Sequence, residues 1–263
     1  MEIQSNKIPV TLLLVFILLI PLEIRAELAD DLVPWNSEEG LQRLFESRYK
    51  VDFFRLANHF QAQPNGVVCG PTTAAIVLNS LRLKKNDSRI PYASGLNQQD
   101  GKYVPAGMDM RVRMYTPDNV IQEYGGKTKT RAQIFGEPIN GKPDWGMQIR
   151  QLHQMFLSHE AVSTLRVVDD SVPLDAMRDQ MMANLKSDKD FIIVNYARKI
   201  LGQSGPGHIS PVAAYHSVSD SFLLLDVTSY QHNWVWAPAK KLYAAMKSFD
   251  TVENRGYLLI EEK

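Results

Sequence analysis

The sequence predicts an α+β fold. Three observations predict it: apolar residues recur at helical spacing in several stretches before residue 185, short apolar runs rich in β-branched and aromatic residues follow between 191 and 260, and no βαβ alternation connects them. Helices first and strands later imply a helical lobe over about 27–187 and an antiparallel sheet lobe over about 188–263. A chain of 263 residues, 44% hydrophobic and 22% charged, can bury a sizeable core.

The elements follow in order. Lys7 precedes an apolar run over 8–22, and Ala26 offers a small residue at a cleavage point. A basic start, an apolar run short for a membrane span and a small residue read as a secretory signal peptide over 1–26, with an uncleaved anchor as the alternative. The remaining 27–263 is then one periplasmic or secreted domain without stable membrane association. Ser37 is an N-cap for a helix through Arg48 whose Leu41, Leu44 and Phe45 share a face, and a second helical piece over 51–59 delivers the chain to Gln63. From Gly70 to Leu83 the residues are apolar nearly all round, which predicts a central helix packed on several sides.

Residues 84–107 are polar and read as a long surface excursion. Thr116-Pro117-Asp118 opens a helix that Gly125-Gly126 stops, 127–144 is loop, and 146–159 is a helix with a Met-rich core stripe. His153 and His159 have no partner at metal-ligand spacing, so they read as solvated or partly packed. Weak alternation over 163–168 reads as a strand, and Ser171-Val172-Pro173 starts a helix to Leu185. The runs 191–195, 208–215, 222–227 and 257–260 make the sheet, interrupted by a helix over about 238–249.

Charge and motifs exclude several classes. Twenty-nine basic residues balance twenty-nine acidic ones, with no basic run interleaved with aromatics, so nucleic acid is not a partner. No C-x-x-C, H-E-x-x-H or phosphate-binding Gly-rich loop occurs, so no metal site is expected. The single cysteine, Cys69, cannot form an intramolecular disulfide.

Cys69 stands where a Gly/Pro-containing loop gives way to the apolar helix. There the unpaired N–H groups and the helix dipole favour a thiolate, although a free cysteine is also a common small buried residue. Gln63, six positions upstream, can offer an amide to an oxyanion beside the sulfur. Gly207-His208 supplies an imidazole and Asp226 a carboxylate. If their strands pair through the 217–220 turn, a hairpin count brings His208 and Asp226 within a few residues of opposition. Asp226 could also cap the turn that follows it. His216 and His232 are competing bases, and Arg198 is either solvated or suited to a substrate carboxylate.

Taken together, Asn36 to Gly40, Gln63 to Ser80, Asn195-Tyr196-Ala197-Arg198, Gly202-Gln203, Gly207 to Pro211, Tyr215-His216, Leu225-Asp226-Val227 and Arg255-Gly256-Tyr257 resemble the phytochelatin synthase family. The resemblance implies a papain-like cysteine proteinase fold, with the nucleophile on the helical lobe and His and Asp on the sheet. It implies a glutathione γ-glutamylcysteinyltransferase: Cys69 attacks the Cys-Gly amide, His208 protonates the departing glycine, Asp226 orients the imidazole and Gln63 stabilises the oxyanion. Asn195, Arg198 and Gly207, with Arg255, resemble the residues that hold the γ-glutamyl end. Water or a second glutathione resolves the acyl-enzyme, giving γ-Glu-Cys or a phytochelatin.

No cofactor is required by this resemblance, and cadmium or zinc enters as the glutathione thiolate substrate. Glutathione and related thiol peptides are the partners, and a homodimer is among the assemblies it allows. Pro71-Thr72-Thr73 departs from the small residues common after Cys-Gly in the family, and 84–144 is longer or looser than usual. Plant members carry a further cysteine-rich region, whereas this chain is similar to short bacterial members, for which hydrolysis of glutathione is expected over polymer formation. Two rivals share the same residues: a papain-like leader peptidase cleaving after double glycine, and a non-catalytic thiol-peptide-binding protein whose function would survive Cys69→Ala.

Overall fold

A run such as Phe191-Ile192-Ile193-Val194 has apolar side chains on both faces of a strand, so it needs cover on both sides. The computed structural model, which describes residues 29–83, 87–93, 100–121 and 128–263, provides that cover. Seven antiparallel strands form one sheet. They are β1 (Val33–Pro34), β4 (Ala161–Val167), β5 (Asp190–Ala197), β6 (Gly207–His216), β7 (Ser221–Leu224), β8 (Val235–Pro238) and β9 (Gly256–Glu262), in the spatial order β1-β8-β7-β6-β5-β9-β4. A separate pair joins β2 (Tyr92–Ala93), inside the 84–107 stretch expected to be a surface excursion, to β3 (Val112–Arg113), just beyond it.

The pleat sorts the core into two layers. Phe191, Ile193, Ile209, Leu223, Trp236 and Leu258 face α2 (Val51–Asn58), α3 (Cys69–Arg82) and α5 (Ile149–Ser158), through residues such as Leu56, Ile76, Leu78 and Phe156. Ile192, Val194, Val212, Phe222 and Leu224 face the other way, onto Met177 and Met181 of α6 (Leu174–Asn184) and Leu242 and Met246 of α8 (Ala239–Met246). The register of β6 on β7 shifts between Val212 and Ala214, and beyond that bulge Ala213 and Ala214 both lie in the first layer.

This is an α+β fold, but strand and helix are not segregated near residue 187. β1 and β4 come from the earlier part of the chain and join the sheet, while α6, from the same part, covers its second face. The physical reason is the two-sided apolarity of the central strands, which a sheet with helices on one side alone would leave half wet.

Helix forecasts hold where the apolar period is long. α1 (Glu38–Glu46) starts at Ser37, whose side chain accepts from the Gly40 N–H, and every residue of α3 is buried. The helix expected from Thr116 is a turn through Val120 closed by reciprocal Thr116 and Asn119 bonds, and its remainder over 122–124 lies outside the described residues. The signal segment expected at 1–26 also lies outside them. Within the 127–144 region read as loop, α4 (Arg131–Ile134) forms, fixed by a capping box between Thr130 and Gln133. A further short helix, α7 (Arg198–Leu201), follows β5 directly and ends at Gly202, whose φ of 87° suits glycine.

Candidate active site

Cys69 is the first residue of α3, preceded by Val68 with no side-chain cap. Its thiol therefore lies among helix-terminal N–H groups, and the Gly70 and Ile209 backbones bond it. It also hydrogen-bonds the His208 side chain. Nε2 of His208 lies 2.8 Å from Oδ1 of Asp226, which leaves Nδ1 as the nitrogen for the thiol. A thiol, an imidazole and a carboxylate thus stand in hydrogen-bonded sequence at the end of the sheet.

Their ionisation follows from these contacts. Burial is the largest single influence on Cys69 and opposes ionisation, yet the bond and charge of His208, with the two backbone bonds, together lower its pKa. Burial likewise disfavours the His208 cation, and Asp226 and Cys69 outweigh it, raising the imidazole. Asp226 is fully buried but is held well below the usual carboxylate range, because His208 and Arg198 outweigh its desolvation. The three groups favour a thiolate–imidazolium pair and titrate as a unit.

A cavity of about 460 Å³ opens beside the thiol. Cys69, His208, Asn195, Gly207, Asp250 and Arg255 all line it. Asp250 receives Asn195 Nδ2 at 3.1 Å and Arg255 Nη2 at 2.9 Å. Arg255 Nη1 is held by Ser248 and the Phe249 carbonyl, while its Nε is buried and without a partner. A Cβ on Gly207 would stand 2.8 Å from Arg255 Nη2, so this glycine admits the guanidinium. The opposite wall, residues 143–147, is tied down by Lys129, which donates to Asp144 Oδ2 at 3.0 Å and to the Gly146 carbonyl at 2.8 Å.

Of the residues singled out from sequence, the structure brings together Cys69, His208, Asp226, Asn195, Gly207 and Arg255. Gln63 is buried in the loop before α3, and its backbone N–H donates to the Val227 carbonyl at 2.8 Å, next to Asp226. One amide donor of Gln63 is committed to the Asn65 carbonyl, and its Oε1 has no partner. Arg198 requires a correction. It does not line the cavity; its guanidinium forks onto Asp226 at 2.6 and 2.9 Å, because α7 starts at the end of β5, beside the segment that follows β7.

Asp226 meets both His208 and the turn that follows it, since Oδ1 also accepts from the Thr228 N–H at 2.8 Å, an Asx-type turn. His216 binds Ser219 and Glu46 at the far end of β6, and His232 contacts the Ser204 backbone, outside the cavity lining. Sequence reasoning missed Asp250, which carries no motif, and Thr228, for which the Asp-x-Thr spacing was an available signal. Among the described residues no group of three or more His, Cys, Asp or Glu is arranged to hold a metal ion.

Comparison with known proteins adds the family. The phytochelatin synthase family profile matches residues 24–95 and 111–257. Glutathione gamma-glutamylcysteinyltransferase 3 of Lotus japonicus is 28% identical over 215 residues, covering 80% of this chain and 37% of the relative. Glutathione gamma-glutamylcysteinyltransferase 2 of Arabidopsis thaliana is 26% identical over 244 residues, 90% of this chain and 46% of the relative. A glutathione gamma-glutamylcysteinyltransferase of Schizosaccharomyces pombe is 30% identical over 92 residues, 34% of this chain and 22% of the relative. The chain spans less than half the length of these relatives. Because the matched stretches take in both the start of α3 and the strand end that bears His208, this chain belongs to the phytochelatin synthase family.

Proposed function

We propose that this protein is a cysteine-dependent acyltransferase acting on glutathione, built on a papain-like fold. The observation that carries it is the Cys69–His208 hydrogen bond at the edge of a cavity that also presents Asp250 and Arg255. The thiolate of Cys69 attacks the carbonyl of the Cys-Gly amide. The oxyanion is met by the Cys69 N–H and by the free donor of Gln63. The tetrahedral intermediate collapses as His208 gives its proton to the departing glycine amine, leaving a γ-Glu-Cys thioester. Water or the amine of a second glutathione then attacks, His208 takes the proton, and the thiolate leaves.

The γ-glutamyl head is an amino acid, with one ammonium and one carboxylate. Asp250 suits the ammonium, and the unpartnered Nε of Arg255 suits the carboxylate, with Asn195 and Gly207 beside them completing the wall. Cadmium or zinc enters this reaction as the thiolate complex of the substrate. The apolar run over 8–22 is the export signal in this reading, so the reaction takes place outside the cytoplasm, and the N-terminal sequence of the mature protein tests it.

The function is tested by incubating the protein with reduced glutathione, with and without cadmium, and following glycine, γ-Glu-Cys and longer thiol peptides by mass. Glycine release and a γ-Glu-Cys adduct on Cys69 are expected, both lost in Cys69→Ala. Absence of glycine under both conditions overturns the proposal.

A further inference from the structure

We propose that Arg198 is a positioning residue: its guanidinium, backed by Thr228, fixes the Asp226 carboxylate so that one oxygen stays on Nε2 of His208. It then acts on the thiol through two other side chains and never meets substrate.

The donors around Asp226 carry this inference. Oδ1 accepts from His208 Nε2 at 2.8 Å, Arg198 Nη2 at 2.9 Å and the Thr228 N–H at 2.8 Å. Oδ2 accepts from Arg198 Nη1 at 2.6 Å and the Tyr196 hydroxyl at 3.4 Å. A carboxylate has about four lone-pair positions, so both oxygens are saturated and rotation of the group would break several bonds at once. Arg198 is equally committed. Nη1 also donates to Gln203 Oε1 at 2.9 Å and Nη2 to Thr228 Oγ1 at 3.0 Å, which occupies all four terminal donors. A substrate carboxylate would have to displace Asp226 to reach them.

Thr228 closes the arrangement, because its Oγ1 lies 3.3 Å from His208 Nε2 while accepting from Arg198. The groups facing Asp226 are therefore His208 from β6, Arg198 from α7, Tyr196 from β5 and Thr228, with His232 acting through its charge at longer range. A fully buried carboxylate that lost its guanidinium would move toward the protonated form and release the imidazole. A bidentate fork also fixes geometry in a way that a lysine ammonium at the same place does not.

The test uses Arg198→Gln, Arg198→Lys and Thr228→Val in the full chain. Two readouts are taken: alkylation of Cys69 by iodoacetamide as a function of pH, read by intact mass without substrate, and kcat and KM for glycine release from glutathione. In Arg198→Gln the alkylation midpoint is expected to rise by about one pH unit and kcat to fall roughly 10- to 100-fold, with KM within about twofold. Arg198→Lys keeps the charge without the fork and falls between. Thr228→Val moves both readouts the same way by less, and it keeps the ion pair, so it decides the matter should Arg198→Gln fail to fold. A tenfold rise in KM with kcat and the alkylation profile unmoved would place Arg198 on substrate and overturn the inference, as would folded variants with both readouts unchanged. The inference rests on Cys69 as nucleophile; alkylation needs no glutathione, so a protein that releases no glycine removes the substrate reading and still leaves this arm to decide.

Discussion

Asp250 is the residue on which the two polar side chains of the cavity wall converge. With Asn195 and Arg255 both bonded to it, its carboxylate sets the positions of the groups that meet the γ-glutamyl head in the proposed reaction. Asp250→Ala is expected to raise the KM for glutathione about 10- to 100-fold, the range of about 1.4–2.7 kcal/mol for a hydrogen bond to a charged group, as measured by glycine release. A KM within twofold of the unsubstituted protein would remove Asp250 from substrate binding. Nothing in Ser248-Phe249-Asp250-Thr251 announces this role. The sequence marks Cys69, His208 and Asp226 because a lone thiol, a Gly-His pair and a strand-end carboxylate are few and ordered. Arg198 was open to misreading because which anion a guanidinium meets is decided by strand neighbours, and Asp226 is 28 residues away.

At the scale of elements, α2 carries a cost. Asp52 sits in its first turn with no exposed surface, and neither carboxylate oxygen has a partner. Burial, aided by Asp190 and Asp188 and opposed by Arg55, pushes its pKa up to about 8. The sign follows: the unfolded chain loses this proton near 3.8 and the folded one near 8, so native stability falls as pH rises through that window. Asp52→Asn keeps the shape without the charge. Its melting temperature is expected to exceed that of the unsubstituted protein by about 4–8 °C at pH 7, with no gain near pH 3. A gain independent of pH in thermal melts would show that Asp52 is not the titrating group.

The legibility of elements follows the same physics. α5 was readable because ten residues repeat one period and α3 because fourteen residues run apolar nearly all round, whereas β1 and β8, of two and four residues, have too few positions to show either. α4 has four residues as well, yet its Thr130-x-x-Gln133 box was a usable signal that the surrounding Gly and Pro residues obscured.

Across the molecule, Arg82 joins parts that the chain keeps far apart. Fully buried at the end of α3, it donates to Glu262 of β9 at 2.9 Å, to the Tyr115 hydroxyl at 2.8 Å and to the His159 carbonyl at the end of α5 at 2.7 Å. Arg82→Ala leaves the Tyr115 hydroxyl and the His159 carbonyl without this donor and Glu262 with Arg89 as its one remaining guanidinium partner among the described residues. A loss of about 3–5 kcal/mol is expected, roughly 6–20 °C in the melting midpoint. A shift below 2 °C would mean that α3 is held by apolar packing alone. Because α3 presents Cys69 at its other end, loosening Arg82 also loosens the thiol's platform.

By itself the sequence determined the family, the α+β class, the long helices and the identities of thiol, imidazole and carboxylate. Periodicity and local chemistry are properties of neighbouring residues, and a single chain displays them. Only the tertiary structure decided that helices cover both faces of the sheet, that Arg198 belongs to Asp226, and that Asp250 stands between Asn195 and Arg255. Those facts depend on strand register and on which segments meet at a strand end, where a shift of one residue would turn every side chain to the opposite face.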